Sequence, residues 1–292
     1  MTPERPPPPC LRMLAALLLA APSAAQIVTE NAGVVSPELT ILRELASVER
    51  SENLDEARWS HQLLWAPDRA NEFRLTVPLV WREARFDAPG GELESDAHGL
   101  GDVALRFKHA LRRADGVMRS TRWGLLLELG APTGAHDQRV SGVEVPRALQ
   151  LGSGDWSFGA GSALTWIRDR QRASLEAFYR HRTRHDGLQL GATAELNAAW
   201  WYRLSPAVFQ ADSGPEIRGV LELLSSHTFT SEVGGSAADD DGGIVWLAPG
   251  IHFYPATNVL LEANVQFPLF QDLDDALGER RWSAHLVLKL LF

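Results

Sequence analysis

The carboxyl-terminal stretch WSAHLVLKLLF (Trp282–Phe292) alternates between two kinds of side chain. One set is apolar throughout and comprises Trp282, Ala284, Leu286, Leu288, Leu290 and Phe292. The intervening set, extended upstream by one residue, comprises Arg281, Ser283, His285, Val287 and Lys289. Because successive side chains of a β-strand point to opposite faces, this stretch predicts a strand with one face suited to lipid and the other to water. A tilted strand of about 9 to 11 residues is long enough to cross a bilayer.

The same alternation recurs along the chain. In Val259–Phe267, four apolar residues at odd positions from Leu261 onward oppose Glu262, Asn264 and Gln266. The strands predicted in this way cover residues 41–50, 57–66, 72–82, 102–108, 123–129, 155–168, 171–183, 190–204, 216–229, 244–254, 259–267 and 282–292. An even number of strands places both termini of a single-chain barrel on the same side.

The connections between these strands also alternate. Long junctions, mostly rich in Gly, Asp and Glu, lie at residues 86–99, 131–154, 230–243 and 270–280, and short ones at 66–70, 169–171 and 255–258. Long extracellular loops and short periplasmic turns are typical of outer-membrane barrels. Two junctions fit less well, because 205–215 is long and 109–122 becomes short only if the flanking strands extend to about Arg113 and Met118. The predicted fold is all-β, a single transmembrane antiparallel up-and-down β-barrel of about 12 strands.

The N-terminus predicts a secretory signal peptide over residues 1–25. Arg5 and Arg12 precede an apolar stretch from Met13 to Ala21, and Ser23-Ala24-Ala25 supplies the small residues of a cleavage site. The apolar stretch is shorter than the roughly 20 residues of a transmembrane helix. Residues 26–40 are then expected to form an N-terminal periplasmic segment, as a disordered tail rather than a plug of the barrel, and residues 41–292 to form the barrel.

Composition excludes several classes of protein. The 292 residues are 45% hydrophobic and 22% charged, which is too apolar for a disordered chain. The net charge of −9 would repel nucleic acid. The single cysteine, Cys10, would be removed with the signal peptide, so no disulfide is expected in the exported chain. No later segment has 18 apolar residues free of charge, so a closed sheet is the remaining way to span a membrane.

A soluble all-β sandwich exported to the periplasm is the alternative fold. It would bury the apolar faces and turn the charged faces outward, so that the tryptophans near the strand ends would become core residues. These are Trp59, Trp65, Trp81, Trp123, Trp166, Trp200 and Trp282. Their positions fit an interfacial girdle of a membrane barrel better.

Several short motifs, taken in order, resemble one known family. They are Gly99-Leu100-Gly101-Asp102, Ala131-Pro132-Thr133-Gly134, Gly152-Ser153-Gly154-Asp155-Trp156, Leu204-Ser205-Pro206 and Leu247-Ala248-Pro249-Gly250-Ile251. The pattern is similar to that of bacterial outer-membrane barrels described as belonging to a MetA pathway of phenol degradation and often called transporters. The resemblance spans about residues 70–292 and implies passage of aromatic or other apolar compounds. The terminal Phe292 also resembles the signal read by the barrel-assembly machinery.

The faces opposite the apolar ones are expected to line the lumen. The predicted lining residues are Arg106, Lys108, Glu128, Glu176, Arg180, Glu195, Arg218, Glu222, His252, Glu262, His285 and Lys289, with Asp102 and Arg182 on the same faces. Opposite charges on neighbouring strands are expected to pair, Arg106 or Lys108 with Glu128 and Glu262 with Lys289. The lining either fills a narrow barrel or forms a polar channel, and both interpretations stay open at this point.

An outer-membrane enzyme is the competing functional class. Ser283 and His285 are expected to face the lumen, whereas Ser225 and His227 share the parity of Leu221 and could face lipid. No acidic residue is positioned by the sequence to orient His227, so catalysis is not predicted. His181 and His185 lie among arginines, and the acidic runs of residues 239–241 and 272–279 are typical of solvated loops, so no metal or cofactor is expected either.

The sequence therefore predicts an outer-membrane barrel that passes small, hydrophobic or aromatic solutes passively. A non-conducting structural or binding barrel is the alternative. The expected partners are outer-membrane lipid, the barrel-assembly machinery acting on the C-terminal strand, and a small-molecule solute, with no nucleic acid.

Overall fold

The computed structural model describes residues 28–34, 36–37, 39–208, 214–238, 240–273 and 278–292. The strands in chain order are β1 (Thr40–Ser51), β2 (Leu54–Trp65), β3 (Asn71–Ala88), β4 (Gly91–Leu100), β5 (Val103–Gly116), β6 (Arg119–Ala131), β7 (Arg139–Val140), β8 (Val143–Glu144), β9 (Ser157–Arg168), β10 (Gln171–Arg182), β11 (Arg184–His185), β12 (Leu188–Gln189), β13 (Thr193–Ser205), β14 (Glu216–Thr228), β15 (Glu232–Val233), β16 (Ser236–Ala237), β17 (Gly242–Ala256), β18 (Val259–Leu273) and β19 (Arg280–Leu291). A 3₁₀ turn covers Arg147–Leu149. Within these ranges, no helix is both long and apolar enough to cross a membrane.

Twelve long antiparallel strands close into a barrel. Its circular order is β1, β2, β3, β5, β6, β9, β10, β13, β14, β17, β18 and β19, and β19 pairs with β1 to close the sheet. Ile41 lies opposite Leu291 and Arg50 opposite Trp282 across this closure. The predicted all-β up-and-down barrel of 12 strands is therefore confirmed, including a first strand near residues 41–50.

One extra strand corrects the prediction for residues 86–99. That stretch is not a loop, because β3 continues to Ala88 and turns into β4, which pairs with the outer part of β3. The glycines at the tip, Gly90 and Gly91, have φ values of 118° and 126°, which explains why a Gly-rich sequence here is a hairpin turn. Within residues 109–122, β5 extends to Gly116 and β6 begins at Arg119, which leaves the short turn that the barrel requires.

The two ends of the barrel differ. The terminal end, where β1 begins and β19 ends, carries the connections at residues 66–70, 117–118, 169–170, 206–215 and 257–258, of which residues 209–213 lie outside the described ranges. The loop end carries the connections at 52–53, 89–90, 132–156, 183–192, 229–241 and 274–279, of which residues 239 and 274–277 lie outside the described ranges. Loop 132–156 contains the β7–β8 hairpin, and loops 183–192 and 229–241 share a small sheet of β11, β12, β15 and β16.

The turn between β2 and β3 shows how a terminal-end connection is fixed. Asp68 Oδ1 accepts hydrogen bonds from the backbone N–H groups of Ala70 and Asn71 at 2.7 and 2.8 Å, and Oδ2 accepts one from Asn71 Nδ2 at 2.7 Å. These hydrogen bonds lower the pKa of Asp68 below its ordinary value. The side chain thus forms an Asx turn that directs the chain from one strand into the next.

The outer surface of the barrel is an apolar belt. On β6, Leu125, Leu127 and Leu129 are exposed, whereas Leu126 between them is fully buried. Trp65, Trp123, Trp166 and Trp200 are also exposed. Large apolar side chains face outward while charged side chains face inward, which is the reverse of a soluble sandwich and excludes that alternative.

Candidate channel lumen

Paired charges connect four strands inside the barrel. Arg106 on β5 contacts Glu128 on β6 at 2.8 Å, and Arg180 on β10 contacts the other oxygen of Glu128 at 2.8 Å. Arg180 also lies 3.2 Å from Glu195 on β13. Arg106 is directly opposite Glu128 in the β5–β6 register, so the strand pairing itself brings these two residues together.

Lys108 has different partners. Its Nζ lies 3.0 Å from Glu72 and 3.1 Å from Glu30, both nearly fully buried. In the register, Lys108 is opposite Leu126 on one side and opposite Glu72 on the other. Of the two partners that the sequence allowed for Glu128, the structure therefore selects Arg106.

Residues 28–33 lie inside the barrel, at its terminal end. The backbone N–H of Thr29 donates to Glu222 on β14 at 3.0 Å, and that of Glu30 donates to Glu176 on β10 at 2.8 Å. The N–H of Ala32 donates to Thr165 Oγ1 on β9 at 3.0 Å. We call residues 28–33 the inserted segment. The expectation of a disordered tail is wrong for this segment, because three strands of the barrel hold its backbone.

The side chain of Glu30 anchors the inserted segment. Its carboxylate lies 2.9 Å from Arg74, 3.1 Å from Lys108 and 3.4 Å from Arg106. Ala32 packs into an apolar cluster with Leu126, Ala163 and Phe178. The sequence signal for this arrangement is weak, since Glu30 has no periodic pattern around it and its cationic partners lie on β3 and β5.

The remaining predicted lining residues lie on the inner face of β14, β17, β18 and β19. His252 and Glu262 are directly opposite each other and almost fully buried, with Nε2 and Oε1 separated by 3.4 Å. Arg218 contacts Glu216 at 2.7 Å, and its guanidinium lies 4.5 Å from the ring centre of Tyr254. His285 Nδ1 lies 3.0 Å from both Asn264 Oδ1 and Gln266 Nε2.

Lys289 and the inserted segment border a small residual space. This cavity of about 70 Å³ is also lined by Arg43, Glu72 and Lys108. In the register, Lys289 pairs with Leu260 and Glu262 with Val287, so the expected Glu262–Lys289 pair is diagonal rather than direct. The inserted segment thus fills part of the terminal-end lumen and leaves this small cavity beside it.

The loop-end lumen, in contrast, encloses a cavity of about 620 Å³, which we call the loop-end chamber. Its charged lining comprises Arg43, Arg58, Arg74, Arg82, Arg106, Arg147, Arg180, Arg182, Asp102 and Glu128. The sequence placed five of these ten on lumen-facing sides, namely Asp102, Arg106, Glu128, Arg180 and Arg182. Arg43 and Arg58 were missed because the first two strands alternate weakly, and Arg147 because it lies in a loop.

The alternative sites suggested by the sequence are located elsewhere. Ser225 and His227 lie near the loop end of β14. There the His227 ring packs against Phe229, with ring centroids 4.8 Å apart. Within the described ranges, no group of three or more His, Cys, Asp and Glu side chains could hold a metal ion. Residues 239, 274 and 275 of the acidic runs lie outside those ranges.

A closed barrel with an apolar exterior and a charged, hydrogen-bonded interior defines a transmembrane β-barrel protein. The chain belongs to the family described as "Putative MetA-pathway of phenol degradation", which it matches over residues 46–267. This confirms the family indicated by the sequence motifs. No curated protein matches the chain in sequence.

Solved structures support the fold. The crystal structure of the COG4313 outer membrane channel from Pseudomonas putida F1 superimposes with a TM-score of 0.66 at 14% identity, covering 91% of this chain and 100% of that one. The β domain of the Bordetella autotransporter BrkA gives a TM-score of 0.45 at 13% identity, covering 87% and 99%. The first similarity independently supports the barrel architecture.

Proposed function

We propose that this protein is an outer-membrane channel for small solutes. The observation that carries the proposal is the loop-end chamber, a cavity of about 620 Å³ enclosed by a membrane-spanning barrel and lined by polar groups. A barrel that only filled its own interior would leave no such space. By the rule of short periplasmic turns and long outer loops, the terminal end faces the periplasm.

We propose aromatic compounds as the solute class. The description of the family names phenol degradation, and the chamber has aliphatic wall residues such as Leu45, Val80 and Leu190 beside its polar ones. The inserted segment would have to move for a solute to leave the chamber at the terminal end. The protein would then be a gated channel whose closed state is the one described here.

Planar-bilayer recording tests this function. We expect discrete current steps from the whole chain, and larger or more frequent steps from a variant lacking residues 28–33. Phenol should reduce the current more than glycerol does at equal concentration, with a protein-free bilayer as the control. Current only from the deletion variant would identify a plugged barrel. Silence from both folded proteins would favour a structural barrel and contradict the channel.

Export and assembly follow from the same proposal. Residues 1–25 would act as a cleaved signal peptide, and they lie outside the described ranges. Phe292 exchanges backbone hydrogen bonds with Thr40 at 3.0 and 3.1 Å while its side chain stays exposed, as a recognition signal requires. Deleting Phe292 should lower the amount of barrel in the outer membrane, measured by heat-modifiable mobility on gels. Normal amounts of the truncated chain would contradict an assembly role.

A further inference from the structure

The charged side chains that line the loop-end chamber are unequal in number, although Glu30, Glu56 and Glu195, outside the lining, pair with five of its arginines. Eight arginines line it, and only two carboxylates do. Both carboxylates are already engaged. Asp102 accepts hydrogen bonds from Gly134 N, Ser153 N and Ser153 Oγ at 2.7 to 3.0 Å, and Glu128 lies between two arginines. Neither carboxylate therefore has to be neutralised by a ligand.

Arg147 and Arg182 both donate to backbone carbonyl oxygens. Arg147 donates to the carbonyl oxygen of Ser153 at 2.9 Å, and Arg182 donates to that of Gly191 at 2.8 Å. A third, Arg58, pairs with Glu56 at 2.9 Å, and 40% of its side chain is exposed. A guanidinium has five N–H donors, so these contacts leave donor capacity directed at the chamber.

The lining also has an apolar part. Leu45, Val80, Leu151 and Leu190 contribute aliphatic surface beside the arginines. Arginine binds carboxylates through two parallel hydrogen bonds, and a cavity with low-dielectric walls concentrates the field of its charges. A volume of about 620 Å³ is in the range of small-molecule sites.

We propose that the loop-end chamber binds a small organic anion, a carboxylate carried on an aromatic or other apolar body. The proposal rests on the proposed function, because it names the solute class of that channel. Arg58, Arg147 and Arg182 are inferred to hold the carboxylate, and the aliphatic wall is inferred to hold the apolar body. The chamber would then bind a neutral compound of the same shape, phenol included, more weakly than the anion.

Calorimetric titration of the whole chain in detergent tests the proposal without requiring conduction. Benzoate and benzyl alcohol are the two probes, since both carry one ring and only benzoate is charged. We expect saturable binding of benzoate and binding of benzyl alcohol at least about tenfold weaker, the factor that the loss of a charged hydrogen bond gives. Benzoate binding should weaken as salt is raised. Equal affinities for the two probes, or no benzoate binding, would overturn the proposal.

Substitutions assign the binding to the chamber. The double variant Arg58→Gln and Arg182→Gln should weaken benzoate binding about tenfold or more. Arg139→Gln is the matched control, because Arg139 lies in an exposed loop pair with Glu144 and does not line the chamber. Should the double variant not fold, as judged by heat-modifiable mobility, Arg182→Lys tests the same point by keeping the charge and losing the fork geometry.

Failure of this inference differs from failure of the channel proposal. Current steps in a bilayer combined with equal affinity for both probes would keep the channel and remove the anion site. Selective benzoate binding without current, even from the variant lacking residues 28–33, would keep the anion site and remove the channel. Equal benzoate affinity in the double variant and in Arg139→Gln would show that the anion binds outside the chamber.

Discussion

The two halves of the lumen are built from the same strands but are filled differently. At the terminal end, the inserted segment occupies the space, with Glu30 among three cations and its backbone held by Glu176 and Glu222. At the loop end, the strands carry arginines whose partners leave a chamber of about 620 Å³. Strand alternation makes both halves polar. Whether a half is open depends on whether another segment of the chain satisfies its polar groups.

The largest expected effect comes from Lys108 in the filled half. Lys108→Met should lower the free energy of unfolding by about 3 to 5 kcal/mol, because Glu72 and Glu30 would lose a buried cationic partner. Urea unfolding of the barrel in lipid measures this. The double variant Lys108→Met and Glu72→Gln should recover part of the loss. A single variant as stable as the wild type would show that the filled half does not depend on this ion cluster.

A smaller effect is expected from loosening the inserted segment alone. Glu30→Gln should lower the free energy that holds the inserted segment in the lumen by about 1.5 to 3 kcal/mol, since three cations lose their shared charged acceptor. Labelling of Ala32→Cys by a maleimide, with Cys10→Ser in the same background, should become about tenfold faster. Glu144→Gln in an exposed loop pair is the control and should change nothing. Unchanged labelling in Glu30→Gln would remove Glu30 as the anchor.

A single neutral hydrogen bond should matter less. Thr165→Val removes the oxygen that accepts from Ala32 N–H at 3.0 Å and lies 2.7 Å from Ser174 Oγ. The free energy that holds the inserted segment in the lumen should fall by about 1 kcal/mol, and Ala32→Cys should be labelled severalfold faster. Thr121→Val, at an exposed position near the start of β6, should leave the rate unchanged. Equal rates in the two variants would contradict the role of Thr165.

The smallest effect on overall stability is expected at the open half. Asp102→Asn weakens the three hydrogen bonds that attach loop 132–156, so trypsin should cleave at Arg139 or Arg147 several times faster. The free energy of unfolding should change by no more than about 0.5 kcal/mol, because the loop is not one of the strands that form the barrel wall. Asp87→Asn, at an exposed position on β3, is the control. A global loss of stability would mean that the loop supports the barrel as much as the inserted segment does.

Several features were predictable from the sequence because they depend only on neighbours along the chain. The alternation from Trp282 to Phe292 identifies a membrane strand, since each side chain needs either lipid or water. Repetition of that pattern predicts the closed barrel, because lipid leaves no other way to pair a strand's backbone groups. The hairpin at residues 86–99 was missed, since a Gly- and Glu-rich strand outside the bilayer carries no apolar alternation.

Contacts between distant residues were settled by the tertiary structure alone. Alternation placed Arg106, Lys108 and Glu128 on inner faces, but only the β5–β6 register selects Arg106 as the partner of Glu128. Likewise, the entry of residues 28–33 into the lumen depends on acceptors from Glu222, Glu176 and Thr165 on three strands. The sequence by itself determined which side chains face inward, because side-chain direction along a strand alternates with a period of two residues. The closed barrel decided which of them meet and how much space remains, because those outcomes depend on strand register and on a segment without any period.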